Sequence, residues 1–230
     1  MIEIIPALMP KTIEELHHYA GLFIHHVPLV QIDIMDGVFV PNRSWPFMQG
    51  GHHDVDKIIS EEDGLPHWDK IDFELDLMVR RPDRDIMKWM KVGARRVIFH
   101  YASLPDLSVV TSGLDPHTRE YVEIGIALDM ETPLDAIEPW LDDIDFVQLM
   151  GIAHIGYQGE PLDDRVIERI SQLHEAYPDL VISVDGGVRL DNMRSLIEAG
   201  ATRLAVGSAL IESGDVVAML DKFQSIASEY

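Results

Sequence analysis

Three aspartates sit inside otherwise apolar stretches. Asp33 lies in Gln31-Ile32-Asp33-Ile34-Met35, Asp76 in Glu74-Leu75-Asp76-Leu77-Met78, and Asp185 in Ser183-Val184-Asp185-Gly186-Gly187. A carboxylate in such a setting loses hydration and needs a partner or a task. One of them alone is as readily a loop cap or an arginine partner as a functional group. Three brought together suit general acid/base chemistry or the binding of a cation. Glycine-rich stretches accompany them: Gly156-Tyr157-Gln158-Gly159, Gly186-Gly187 and Gly207-Ser208. Each alone reads as a tight turn. Three at successive strand exits suit a phosphate, which backbone amides can cradle. Asp36-Gly37 differs, since Asp-Gly at a strand exit is turn chemistry.

Something must carry these groups to one place. Eight short apolar runs recur along the chain: Glu3–Leu8, Leu29–Ile34, Ile71–Leu77, Arg96–Phe99, Gly125–Leu128, Asp145–Met150, Leu180–Val184 and Arg203–Val206. Helical patterns lie between them over Thr12–His25, Arg84–Val92, Asp163–Ala176, Asp191–Ala199 and Asp215–Ser228. Strand and helix in alternation imply parallel β-α units with right-handed crossovers. Runs without a polar face imply strands buried on both sides. Eight units in 230 residues predict one α/β domain over residues 1–230, a single (β/α)8 TIM barrel.

Chemistry on a barrel belongs at the C-terminal strand ends. Alternation turns Gln31, Asp33 and Met35 inward on the second run, Glu74 and Asp76 on the third, and Asp185 on the seventh. His100 ends the fourth run and is expected to pack on the rim. Pro10 and Thr12, Asp191, and Asp215 precede helices, while Gly93-Ala94 and Gly200-Ala201 close them. Residues 36–68, rich in proline, glycine and tryptophan, predict a long loop with a short helix at the rim.

Composition narrows the function classes. Hydrophobic residues form 47% of the chain, enough for a sizeable core. The absence of cysteine excludes disulfides, thiolate metal sites and cysteine nucleophiles. A net charge of −22 argues against nucleic acid and anionic membrane surfaces as partners. The same field repels a phosphorylated ligand, so local donors would have to overcome it. No apolar stretch approaches the roughly 18 residues of a membrane helix. The N-terminal MIEIIPALMP lacks the basic start of a signal peptide, and the expected location is cytoplasmic.

The residues also carry a family resemblance. The stretch Asp33-Ile34-Met35-Asp36-Gly37-Val38-Phe39-Val40-Pro41-Asn42 resembles the strand-two signature of ribulose-phosphate 3-epimerases. Asp76-Leu77-Met78-Val79 with Pro82, Val184-Asp185-Gly186-Gly187-Val188 and Val206-Gly207-Ser208-Ala209 resemble further motifs of that family, in the same order. The resemblance implies epimerisation of a ketose phosphate, with Asp33 and Asp185 as the acid/base pair. It implies substrate or phosphate contacts at Met35, Gly156, Gly159, Gly186, Gly187, Gly207 and Ser208. It implies a divalent metal held at Gln31, Asp33, Asp76 and Asp185.

Two of those ligand positions depart from the family's histidines, being Gln31 and Asp76 here. The resulting all-oxygen set favours Mg²⁺ or Mn²⁺ over Zn²⁺, or else the metal has been lost. Ala7 replaces a serine, and the loop 150–159 carries Gln158 where a glycine is expected. These departures leave a second reading open, a non-catalytic or regulatory sugar-phosphate binder. A lyase or decarboxylase ranks below both, because no lysine lies at the relevant strand exits. The resemblance also implies homo-oligomers, without marking a surface for them.

Overall fold

In the computed structural model eight parallel strands close into a barrel in chain order. The strands are β1 (Glu3–Leu8), β2 (Leu29–Met35), β3 (Asp72–Met78), β4 (Arg96–His100), β5 (Glu123–Leu128), β6 (Phe146–Met150), β7 (Val181–Asp185) and β8 (Arg203–Val206). Placement is described for every residue except 113 and 115. The outer layer holds α1 (Ile13–Gly21), α2 (Gly51–Ile59), α3 (Ile86–Lys91), α4 (Ser108–Ser112), α5 (Pro116–Tyr121), α6 (Arg165–Ala176), α7 (Met193–Ala199), α8 (Ser208–Ile211) and α9 (Val216–Ala227). Among the described residues no helix is long and apolar enough to cross a membrane.

The two faces of each strand feed two separate cores. Outward residues such as Val30, Ile32, Ile34, Leu75, Leu77, Val97 and Phe99 pack against Leu16, Val55, Trp89, Ile170, Leu196 and Phe223 of the helices. Inward residues Ile98, Ala127, Phe146 and Met150 form a small cluster inside the ring. Period-two alternation in a strand covered on both sides produces this division. It also explains why the polar residues Gln31, Asp33, Glu74, Asp76, Gln148, Ser183 and Asp185 share the barrel interior, all of them buried.

The interior is stratified. Near the N-terminal strand ends, Arg96 approaches Glu3 at 3.0 Å, Glu123 at 3.2 Å and Glu74 at 3.6 Å. Arg203 joins them, 3.3 Å from Glu3 and 2.9 Å from Glu123. The Arg203 guanidinium also lies 4.7 Å from the centre of the Phe146 ring. Burial raises the Glu74 carboxyl to about 8, against the pull of Arg96 and Arg203. This charged layer closes the floor and leaves the opposite end for the aspartates.

Local chemistry sets the element ends. The Thr12 side chain accepts from Glu15 N at the start of α1, and Asp215 accepts from Ala218 N at the start of α9. Gly200 caps α7 with φ 120°, and Gly93 follows α3 with φ 89°. The cap of α7 is Asn192 rather than Asp191, and its side chain binds Arg189 N instead of the helix. Strand and helix bounds differ from the sequence reading by up to a few residues, as expected where ends fray. The short segments at 108–112 and 116–121 have too few turns to give a periodic signal.

Residues 36–68 form the expected rim loop with a short helix, α2. Buried Ser44 fixes the loop to β2. Its hydroxyl accepts from Met35 N at 2.9 Å and donates to Asp33 O at 2.5 Å. Asp36 is spent on the turn, since Oδ1 accepts from Val38 N and Phe39 N and Oδ2 from Arg80 N.

Candidate active site

The register of the barrel brings the acidic strand ends together. Asp33 on β2 pairs with Asp76 on β3. Asp185 ends β7, separated from β2 in the ring only by β1 and β8. Those intervening strands present Ala7 and Ala205 to the cavity. Their small side chains leave space between the two aspartates. Carboxylate oxygens of Asp33, Asp76 and Asp185 lie within 4.8 Å of one another, and all three residues are buried.

Gln31 joins the pair that faces the cavity. Its Nε2 donates to Asp33 Oδ1 at 2.7 Å and to Asp185 Oδ2 at 3.1 Å. Asp76 is held from the far side by His100 Nε2, 2.8 Å from Oδ1, and by Gln148 Nε2, 3.1 Å from Oδ2. Asp33 and Asp185 line the cavity with Met9, Met78, Met150 and Tyr157, whereas Asp76 and Gln31 sit beneath.

Burial dominates the electrostatics. It raises the Asp185 carboxyl to about 7, helped by the charge of Asp76 and opposed by the Gln31 hydrogen bond and by His100. It raises Asp33 well above the ordinary range, with the charges of Asp185 and Asp76 acting in the same direction. Like charges this close in a dry site cannot all ionise unaided. A proton or a cation must be shared.

The residues present fit a cation. The oxygen donors suit a hard divalent ion, and six-coordinate ions of this kind draw oxygens together at about 2.0–2.6 Å from the metal. Gln31 Oε1 is buried with no hydrogen-bond partner, and turning the amide over would present it to such an ion in place of Nε2. His100 and Gln148 supply the outer hydrogen bonds that orient a ligating carboxylate.

Gly156, Gly159, Gly186, Gly187, Gly207 and Ser208 all line the same cavity. Gly186 and Gly187 follow β7 with φ 97° and 72°. A Cβ at Gly187 would come within 2.6 Å of the Leu162 backbone, so only glycine fits this approach of two loops. Met35 does not line the cavity. The rim loop folds Val40 and Phe39 over it, and it packs on Val40 and Met78 in the wall behind. His154 does not line the cavity; it is exposed and 3.1 Å from Glu160, which does.

Sequence position gives His100 a packing role alone, yet the side chain holds Asp76. Gln148 is a site residue that the sequence reading misses. Its signal is the one that marks Gln31, a polar residue at inward parity within an apolar strand.

A family model described as the ribulose-phosphate 3 epimerase family matches residues 3–211. The chain belongs to the ribulose-phosphate 3-epimerase family. A ribulose-phosphate 3-epimerase of Bacillus subtilis is 31% identical over 191 residues, 81% of each chain. One of Aquifex aeolicus is 28% identical over 202 residues, covering 86% of this chain and 84% of the relative. The protein is a sugar-phosphate epimerase, in the isomerase class.

Solved structures extend the likeness of fold well beyond the epimerases. KGPDC from Streptococcus mutans superposes with TM-score 0.74 at 14% identity, covering 99% of this chain and 98% of that one. The 3-hexulose-6-phosphate synthase of Salmonella typhimurium gives 0.69 at 16% identity, covering 99% of both.

Proposed function

We propose that this epimerase inverts the carbon beside the ketone of ribulose 5-phosphate or a related pentulose or hexulose phosphate, using Asp33 and Asp185 as its two proton carriers. The observation that carries the reading is their pairing. They are the two members of the buried triad that line the cavity, they come from strands on either side of Ala7 and Ala205, and Gln31 bridges them. Inversion needs a base on one face of the carbon and an acid on the other.

The electrostatics suit one base and one acid. Burial and mutual repulsion favour a single shared proton between the two carboxyls near neutral pH. The ionised member removes the substrate proton and leaves an enediolate. The protonated member returns its own proton to the opposite face. The pair then holds one proton as before, with acid and base exchanged, ready for the reverse direction.

Gly156, Gly159, Gly186, Gly187, Gly207 and Ser208 supply backbone and hydroxyl donors for the phosphate. Among the described residues no arginine or lysine lines this cavity, so amide dipoles would carry the recognition. Gln31, Asp33, Asp76 and Asp185 would hold a divalent ion, Mg²⁺ or Mn²⁺ in preference to Zn²⁺ by their oxygen donors. Such an ion supplies charge stabilisation to the substrate oxygens as negative charge develops. Asp76 would remain fixed by His100 and Gln148 throughout.

The test is proton exchange in deuterated water with ribulose 5-phosphate and its 3-epimer, with Mg²⁺ or Mn²⁺ supplied. Asp33→Asn and Asp185→Asn should each abolish inversion, with a loss of at least about 10²–10⁴-fold. Each variant should retain exchange from only one of the two epimers. Undiminished inversion by either variant would refute the two-aspartate assignment.

A further inference from the structure

A groove on the β2–β4 side of the barrel mouth has no part in this chemistry. It encloses about 760 Å³ and is lined by Asp36, Val38, Phe39, Arg80, Arg81, Arg84 and the segment 102–105. The chain carries 18 basic against 40 acidic side chains, so three arginines on one groove run against its overall charge.

Two of the three guanidinium groups are uncommitted. Arg81 is tied to Asp83 through two hydrogen bonds of 2.8 and 2.7 Å. Arg80 uses only its backbone N–H, which donates to Asp36 Oδ2 at 2.8 Å. Among the described residues neither Arg80 nor Arg84 makes a side-chain hydrogen bond or ion pair, and Arg84 acts on Asp83 only through its field. Among those residues the one carboxylate lining the groove, Asp36, already accepts three backbone N–H groups. Those three donors satisfy its oxygens, so it draws on neither the Arg80 nor the Arg84 guanidinium.

We propose that the groove lined by Arg80, Arg81 and Arg84 is a second anion site, one that takes the phosphate of a phosphate monoester. Planar guanidinium forks match the oxygens of a tetrahedral dianion and bind it through paired hydrogen bonds. Val38, Leu104 and Pro105 give the groove an apolar wall against which the organic part of an ester can lie. Phe39 connects the groove to the wall of the active site. That ring lies 5.4 Å from the His100 ring, packs on Met35, Val40 and Met78, and Met78 lines the candidate substrate cavity. The phosphate can therefore come from two sources: the far end of a bisphosphorylated sugar reaching past Phe39, or a separate molecule. The proposal does not depend on the chemistry assigned to Asp33 and Asp185.

The experiment uses the full chain at an ionic strength of about 0.15 M, so that unspecific attraction is screened. Glycerol 3-phosphate is the first probe, read by side-chain Nε resonances of the arginines and by calorimetry. Arg80 and Arg84 resonances should shift on binding. The double variant R80A/R84A should weaken that binding at least tenfold while leaving turnover of a monophosphate substrate unchanged. R80K/R84K, which keeps charge but loses the fork, should fall between.

Ribulose 1,5-bisphosphate separates the sources. If the groove takes a substrate's second phosphate, the double variant weakens this ligand at least tenfold, and glycerol 3-phosphate competes with it. If the groove takes a separate molecule, glycerol 3-phosphate binds equally well in the presence of saturating ribulose 5-phosphate. No arginine shift at millimolar probe, or equal affinity of wild type and R80A/R84A, overturns the proposal. Both side chains are exposed, so unchanged thermal unfolding of the variants serves as the check on folding.

Discussion

Removing divalent cations and raising the pH should destabilise this protein through Asp185. Burial raises its carboxyl from 3.8 to about 7. Below about pH 4 the group is protonated in both folded and unfolded chains and stability is unaffected. Between the two values the folded chain keeps a proton that the unfolded chain releases, so stability falls by about 1.4 kcal/mol per pH unit. Above about pH 7 the loss is complete, at about 4 kcal/mol. Asp33 and Glu74 are shifted in the same direction and add to the slope. Asp185→Asn removes this contribution together with the part of the Asp33 shift that the Asp185 charge causes, because the amide has nearly the same shape and does not titrate.

In chelator, wild type should lose about 3 kcal/mol relative to D185N between about pH 5 and pH 8, a relative Tm change of about 6–12 °C for a chain of this size. Urea unfolding at the two pH values measures it. Mg²⁺ or Mn²⁺ should restore wild type at the higher pH far more than D185N, since the ion replaces the shared proton. A stability difference between the two proteins that stays constant with pH would refute the electrostatic account of the triad.

Other perturbations test the supports of the site. Ser44→Ala removes the hydroxyl that pins Met35 N and Asp33 O. It should cost about 1–3 kcal/mol by leaving a buried N–H unpaired, and kcat should fall with little change in KM. Arg96→Ala removes a cation beside Glu3, Glu74 and Glu123 and should lower the Tm, with the part due to Glu74 appearing only above about pH 8, where that carboxyl ionises, and abolished by adding Glu74→Gln. Gly125→Ala would press a Cβ into the Phe146 ring inside the barrel. It should destabilise by about 1–3 kcal/mol in thermal melts while proton exchange at the strand ends survives.

Much of this is legible in the sequence because strand periodicity is simple. An acidic residue at inward parity in a buried strand has nowhere to go but the interior, and Asp33, Asp76 and Asp185 meet there. The glycines of the last three β-α loops likewise reach one cavity because the strand exits of a barrel converge. Other features depend on distances between strands that no local pattern encodes. The His100–Asp76 bond joins neighbouring strands, and the choice of Asp76 over solvent is made by register. Met35 has the right parity but is roofed by Val40 and Phe39 of a loop whose path follows no periodicity. The arginine groove is hidden for a similar reason. Arg80, Arg81 and Arg84 gain meaning only when 36–39 and 102–105 are folded beside them.

The charged floor bears on how such a ring can be rewired. Glu3 on the first strand faces Arg203 on the last, and the two residues are also register partners. Arg96 and Glu123 extend the network to β4 and β5. The seam between the ends of the chain is thus stitched by the same charges that bind its interior strands. Closure of the ring does not rely on which two strands happen to be first and last. A circularly permuted gene, with the old termini joined and new ones cut in an exposed loop at the floor end, should encode a chain that closes the same barrel. The order of the genetic text is in this sense looser than the geometry it specifies.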